Sequence, residues 1–76
     1  MEADQVDPAK VVEIHRRGSR RAYFYLRRTS DGMFFRFPAS RYSGSPSWVD
    51  FPEANGWGYR WAARWVAGMY GLTVKE

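Results

Sequence analysis

Residues 57–70 read Trp-Gly-Tyr-Arg-Trp-Ala-Ala-Arg-Trp-Val-Ala-Gly-Met-Tyr, and this stretch decides the fold. Its large apolar residues recur at every fourth position, namely Trp57, Trp61, Trp65 and Met69. At about 100° per residue this spacing predicts an amphipathic helix, with Arg60 and Arg64 on the side away from the apolar face. We expect Trp61, Trp65 and Met69 to lie in the core and Trp57 to lie at the edge of the stripe.

Glycines mark the limits of this helix. Gly71 is placed to end the helix as a C-cap, where a left-handed backbone is common. Asp50 and Glu53 have the spacing of a capping box, which leaves an earlier start open. Because glycine is a poor helix former, we expect an irregular first turn and a firm helix from about Gly58.

Composition limits the class of protein. The chain has 76 residues, which is one domain, and such a domain buries only about 60% of its unfolded surface. Four Trp, five Tyr and five Phe supply a dense core. The chain has no cysteine, no signal-peptide pattern at residues 1–5 and no apolar run of about 20 residues. We therefore expect a cytoplasmic protein.

Three β-rich runs precede the helix, at residues 10–16, 21–28 and 33–37. Their apolar and polar side chains alternate, as in half-buried strands, and turn signals separate them. The pattern predicts an α+β domain over 10–76, a three-stranded antiparallel β-meander packed against one C-terminal α-helix (β-β-β-α). Residues 72–74 suit either a short extra edge strand or a tail lying on the core, and we expect a flexible lead-in at 1–9.

The hairpin registers follow from keeping the apolar residues on one face of the sheet. The turn Thr-Ser-Asp-Gly after the second strand sets Arg27 opposite Phe34. In the first hairpin, a three-residue loop at 18–20 sets Ile14 opposite Phe24. Residues rich in Ser, Pro and Gly then form a long loop at 39–56, in which Trp48, Val49 and Phe51 are expected to be a short extended piece.

The solvent face of the predicted sheet interleaves arginines with aromatic rings. Residues 10–41 hold nine basic and two acidic residues, a net charge of +7. Arginine contacts phosphates, and rings stack on bases at about 1–3 kcal/mol each. The candidate binding residues are Arg16, Arg17, Arg20, Arg21, Tyr23, Tyr25, Arg27, Phe34 and Arg36. Secondary candidates are Arg41, Trp48, Arg60 and Arg64.

Catalytic patterns are missing from the sequence. There is one His and no Cys, the acidic residues are scattered, and no glycine-rich phosphate loop occurs. We therefore expect a binding module that is not an enzyme and that uses neither a metal nor a cofactor.

The order β-β-β-α with a basic sheet resembles the three-stranded DNA-reading domains of plant AP2 factors and of phage integrase N-termini. The resemblance is one of architecture, assigns no residue a role, and implies nucleic acid as the partner. A small single domain also resembles phage-encoded inhibitors such as anti-CRISPR proteins, which implies an acidic protein surface as the alternative. A short sheet has an unprotected edge, which leaves a homodimer through that edge open.

Overall fold

The structure is a computed structural model in which residues 7–38 and 45–75 are described. These residues form a mixed six-stranded sheet crossed by one helix. The elements are β1 (Val11–Arg17), β2 (Tyr23–Arg28), β3 (Phe34–Arg36), β4 (Ser47–Val49), β5 (Gly56–Trp57), α1 (Arg60–Met69) and β6 (Thr73–Val74). The hydrogen-bonded order is β4-β3-β2-β1-β6, with β5 beside β2. The predicted α+β architecture with a C-terminal helix is confirmed.

Strands β4, β5 and β6 enlarge the predicted meander. Strand β4 confirms the expected extended piece for Trp48 and Val49, but Phe51 lies in a 3-10 turn and its expected extended conformation is wrong. Strand β6 confirms the extra edge strand, and it runs parallel to β1. Strand β5 was not predicted. It pairs Gly56 with Tyr25, and a Cβ atom on Gly56 would overlap the Tyr25 ring. Trp57 therefore belongs to the sheet, and its expected place in the helix stripe is wrong.

The first hairpin has a five-residue loop, and the three-residue loop expected at 18–20 is wrong. Ile14 lies opposite Leu26, so the register differs by two residues from the expected pairing with Phe24. A shift of two keeps every side chain on its predicted face. Gly18 has a positive φ of 112°, and a Cβ there would clash with the carbonyl oxygen of Arg21. Glycine thus permits the wider loop.

The second hairpin follows the prediction. Arg27 lies opposite Phe34, and Gly32 has the expected positive φ, 75°. The Asp31 carboxylate accepts hydrogen bonds from Arg28 Nε at 3.1 Å and Nη2 at 2.5 Å, and from the Met33 amide at 3.0 Å. The side-chain hydrogen bond from Arg28, followed by the Met33 amide, lowers the pKa of Asp31 from 3.8 to about 2.

A pH-dependent part of the stability should follow from Asp31. Because its pKa is lower in the folded state, Asp31 stabilises the fold above pH 3.8 and loses this effect as the pH falls toward about 2. We expect wild type to unfold at a higher temperature than D31N at pH 5, with the difference shrinking toward pH 2. Thermal unfolding followed by circular dichroism measures both midpoints. A difference that is constant over this range would contradict the assignment.

The helix packs on the sheet through small side chains. Ala63, Val66 and Ala67 are buried against the sheet core of Val12, Leu26 and Phe35. The prediction that the large stripe lies in the core is wrong, since Trp61, Trp65 and Met69 are 66%, 63% and 59% exposed.

Crowding by other rings explains this orientation of the helix. Phe35 is completely buried, and its ring lies 5.2–5.9 Å from four aromatic neighbours, Phe37, Trp48, Trp57 and Tyr70. Because interiors are close-packed, a core already filled by these rings has room for alanine and valine but not for two further indoles.

The helix ends as predicted and begins later than a capping box would require. Gly71 has a φ of 70°, its amide bonds the Gly68 carbonyl at 3.2 Å, and the Leu72 amide bonds the Ala67 carbonyl at 2.8 Å. These two bonds form a Schellman C-cap. At the other end, Asp50 precedes a separate 3-10 turn, Phe51–Glu53, and its side chain makes no capping hydrogen bond.

The described part of the amino-terminal segment, from Asp7, contains a short turn. Asp7 accepts a hydrogen bond from the Ala9 amide at 2.9 Å and caps a 3-10 turn, Pro8–Lys10. Residues 1–6 of the expected lead-in lie outside the described residues, as does Arg41. In the described part of the chain, no helix has the length and apolar character needed to cross a membrane.

Candidate functional site

The expected binding face is closed at its centre. Phe34, which we expected at the surface, is only 7% exposed, because Phe51 from the 3-10 turn lies across it. The Phe34 ring has edge-on contacts with the rings of His15, Tyr25 and Phe51. Tyr25 also contacts Phe51 edge-on, and the centroid distances of the four contacts are 5.0–6.2 Å. Tyr25 is half-buried in this cluster. Neither Tyr25 nor Phe34 therefore presents an open ring for stacking.

Three arginines of β2 and β3 are neutralised by carboxylates. The Arg27 guanidinium lies 2.6 Å from Glu13, that of Arg36 lies 3.3 Å from Glu53, and that of Arg28 contacts Asp31. Such partly exposed pairs add little stability, but they reduce the positive charge that an anionic ligand would meet. Glu13 lies opposite Arg27 in the observed register, and the register expected from the sequence concealed this pair.

Uncompensated positive charge gathers at the free end of the first hairpin. Arg16, Arg17, Arg20 and Arg21 are all exposed, and in residues 7–38 and 45–75 none of them forms an ion pair. Arg17 lies over the Phe51 ring at 3.9 Å, which fixes its direction. The exposed Tyr23 lies opposite Arg17 across the hairpin. We call these four arginines and Tyr23 the arginine hairpin.

The start of the helix continues this charged surface on one side of the sheet. The Arg60 guanidinium lies 5.2 Å from the centre of the Phe24 ring, and Phe24 lies opposite Arg16. Next to Arg60, the rings of Tyr59 and Trp61 stack at 6.0 Å with an interplanar angle of 22°. Both rings are exposed.

An exposed aromatic surface on α1 was missed by reading the sequence. We call Tyr59, Trp61, Trp65 and Met69 the outer helix face. Trp61, Trp65 and Met69 belong to the 3.6-residue pattern, so their signal was present in the sequence but assigned to the core, whereas Tyr59, the N-cap residue, lies outside that pattern. Arg64, a secondary candidate, is exposed on the same helix.

The remaining candidates have structural positions. Trp48 is half-buried, its ring lies 5.9 Å from Phe35, and the Arg28 guanidinium covers it at 4.5 Å. Among the described residues, the outer strands β4 and β6 have three and two residues, so each sheet edge offers few free hydrogen-bonding groups. A homodimer through a sheet edge stays a prediction. The same part of the chain holds no group of three His, Cys, Asp or Glu able to bind a metal.

Comparison of the chain with protein-family models, with curated proteins and with solved structures gave no match.

Proposed function

We propose that the protein binds nucleic acid through the arginine hairpin, as a binding module without catalytic activity. The supporting observation is the separation of charge. Arg27, Arg28 and Arg36 each have a carboxylate partner, whereas the arginine hairpin has none in the described part of the chain. The site thus lies at the end of the sheet, and not across the face that the sequence indicated.

The chemistry of these side chains suits phosphate. A guanidinium offers donors in a planar fork that matches two phosphate oxygens, and it is less strongly hydrated than an ammonium group. Four such groups lie within the six residues from 16 to 21, so one short segment can contact several phosphates. Each contact releases condensed counterions, which gives affinity without sequence preference.

Paired double variants test whether the position of the charge matters. R20Q/R21Q removes two charges from the arginine hairpin, and K10Q/K75Q removes two charges near the opposite end of β1, where the Lys75 amide bonds Val12. Fluorescence anisotropy of labelled duplex DNA at about 50 and 200 mM salt gives the salt slope of each variant. We expect the arginine variant to flatten the slope by about 1.8 and the lysine variant to leave it unchanged. Equal effects would refute a localised site.

An acidic surface of another protein is the second candidate, as for a phage-type inhibitor. It is favoured by Tyr23 beside Arg17, because Tyr and Arg are enriched among residues that dominate protein interfaces. Binding of this kind would depend less on salt and would be lost with one dominant side chain. If this protein does not bind DNA at low salt, that result would favour an acidic protein surface as the partner.

A further inference from the structure

The outer helix face holds four of the six large apolar side chains that are exposed among the described residues. Each of these four side chains is more than half exposed; Trp61, Trp65 and Met69 follow one another at every fourth position of α1, and Tyr59 stacks on Trp61 from the N-cap position. Isolated exposed rings are common, but four large apolar side chains in one patch usually mark a binding surface.

Charge complementarity limits what can cover this face. The helix contains Arg60 and Arg64 and has no Asp or Glu. A second copy of the chain carries the same net charge of +4, and its outer helix face offers no carboxylate to pair with Arg60. A ligand with both negative charges and flat apolar groups fits better than a second copy does.

The outer helix face is continuous with the arginine hairpin. Arg60 lies over Phe24, and Phe24 is the cross-strand partner of Arg16. The stacked pair Tyr59 and Trp61 begins beside Arg60. A ligand whose phosphates contact the hairpin therefore reaches exposed rings without crossing an acidic side chain of α1.

We infer that the preferred nucleic acid is single-stranded, an inference that rests on the proposed function. Its phosphates contact the arginine hairpin and Arg60, and its bases stack on Trp61 and Trp65. These two residues are one helical turn apart, about 6 Å along the axis. Successive nucleotides of a duplex rise only about 3.4 Å and cover one another's faces, whereas unpaired bases can spread and stack on protein rings.

Single ring deletions test this inference on the full chain. The probes are a labelled oligothymidylate of about 12 nucleotides, within the usual site sizes, and a duplex of the same length. We expect W61A and W65A each to weaken oligothymidylate binding about fivefold or more and to leave duplex binding unchanged. W61F, which keeps a ring, should retain most of the affinity. Because both tryptophans are exposed, circular dichroism should show an intact fold.

M69A is the matched control, since Met69 lies on the same face and has no ring. It should alter oligothymidylate affinity less than about twofold, because it removes no stacking platform. If W61A and W65A bind like wild type while the hairpin variants lose affinity, the inference is wrong and the proposed function stands. If the wild type binds neither probe, the proposed function itself fails. A dimer in sedimentation equilibrium that both W61A and M69A dissociate, with unchanged DNA affinity, would assign the face to a second copy.

Discussion

A variant in which Arg16, Arg17, Arg20 and Arg21 are all replaced by glutamine should lose nearly all salt-sensitive binding to duplex DNA. Four phosphate contacts correspond to a slope of about −3.6 in log affinity against log salt. The wild type should therefore lose about 10²-fold in affinity between 50 and 200 mM salt, and the variant almost nothing. Anisotropy titrations over this range, on the same labelled DNA, measure both slopes.

The fold of this variant should survive. The four side chains are exposed and form no ion pair among the described residues, and surface changes of this kind usually alter stability by less than about 0.5 kcal/mol each. In the described part of the chain, Arg17 is the one of the four with a further contact, its guanidinium lying over the Phe51 ring. The matched variant E13Q/R27Q removes an ion pair without changing the net charge, and it should keep the wild-type slope. If the quadruple variant keeps the wild-type slope of log affinity against log salt, the phosphate contacts lie elsewhere on the protein.

F35A should be the most destabilising single substitution in the core. Phe35 is completely buried among four aromatic rings. Deleting such a ring costs about 3–5 kcal/mol, through lost burial and the cavity left behind. A domain of 76 residues has a free energy of unfolding of only about 4–11 kcal/mol. Urea unfolding monitored by far-UV circular dichroism should show a large fall in the midpoint or a protein unfolded in water.

The control for this substitution is F37A. Phe37 is also phenylalanine and touches Phe35, but it is 40% exposed. Its removal loses less buried area and leaves a gap open to water, so the free energy of unfolding should fall by less than half as much as in F35A. Similar losses in F35A and F37A would show that Phe35 is not the centre of the core.

The strand faces could be read from the sequence, and one register could not. Alternation determined the faces of β1 and β2 because the side-chain period of a strand is two. The turn at Asp31 and Gly32 determined the register of the second hairpin, because Asp-Gly is a preferred pair in tight hairpin turns. At Gly18 several loop lengths preserve the same faces, and only the position of Glu13 opposite Arg27 distinguishes the correct register by charge.

The orientation of the helix could not be deduced from periodicity. The helix has two apolar arcs, one with Ala63, Val66 and Ala67 and one with Trp61, Trp65 and Met69. Hydrophobicity alone favours the larger residues for the core. The choice depends on how much of the interior other segments fill, and the contributions of Trp48 and Trp57 could be known only once β4 and β5 were placed.

The position of the candidate site shifted for a related reason. The sequence shows where arginines are abundant, but it does not show which of them have a carboxylate partner. Glu53 reaches Arg36 because the 3-10 turn folds over the sheet, and the same turn places Phe51 on Phe34. A long loop of mixed composition gives no such contact from its sequence.

Strand β6 has a consequence for how the protein is made. Strand β1 lies between β2 and β6, and Val12 pairs with Val74 near the far end of the chain. During translation, one edge of β1 remains without its partner until the whole helix and β6 have left the ribosome. Contacts so distant in sequence raise the contact order and slow folding. Until Val74 emerges, the nascent chain exposes an unpaired strand edge to other nascent chains and to chaperones.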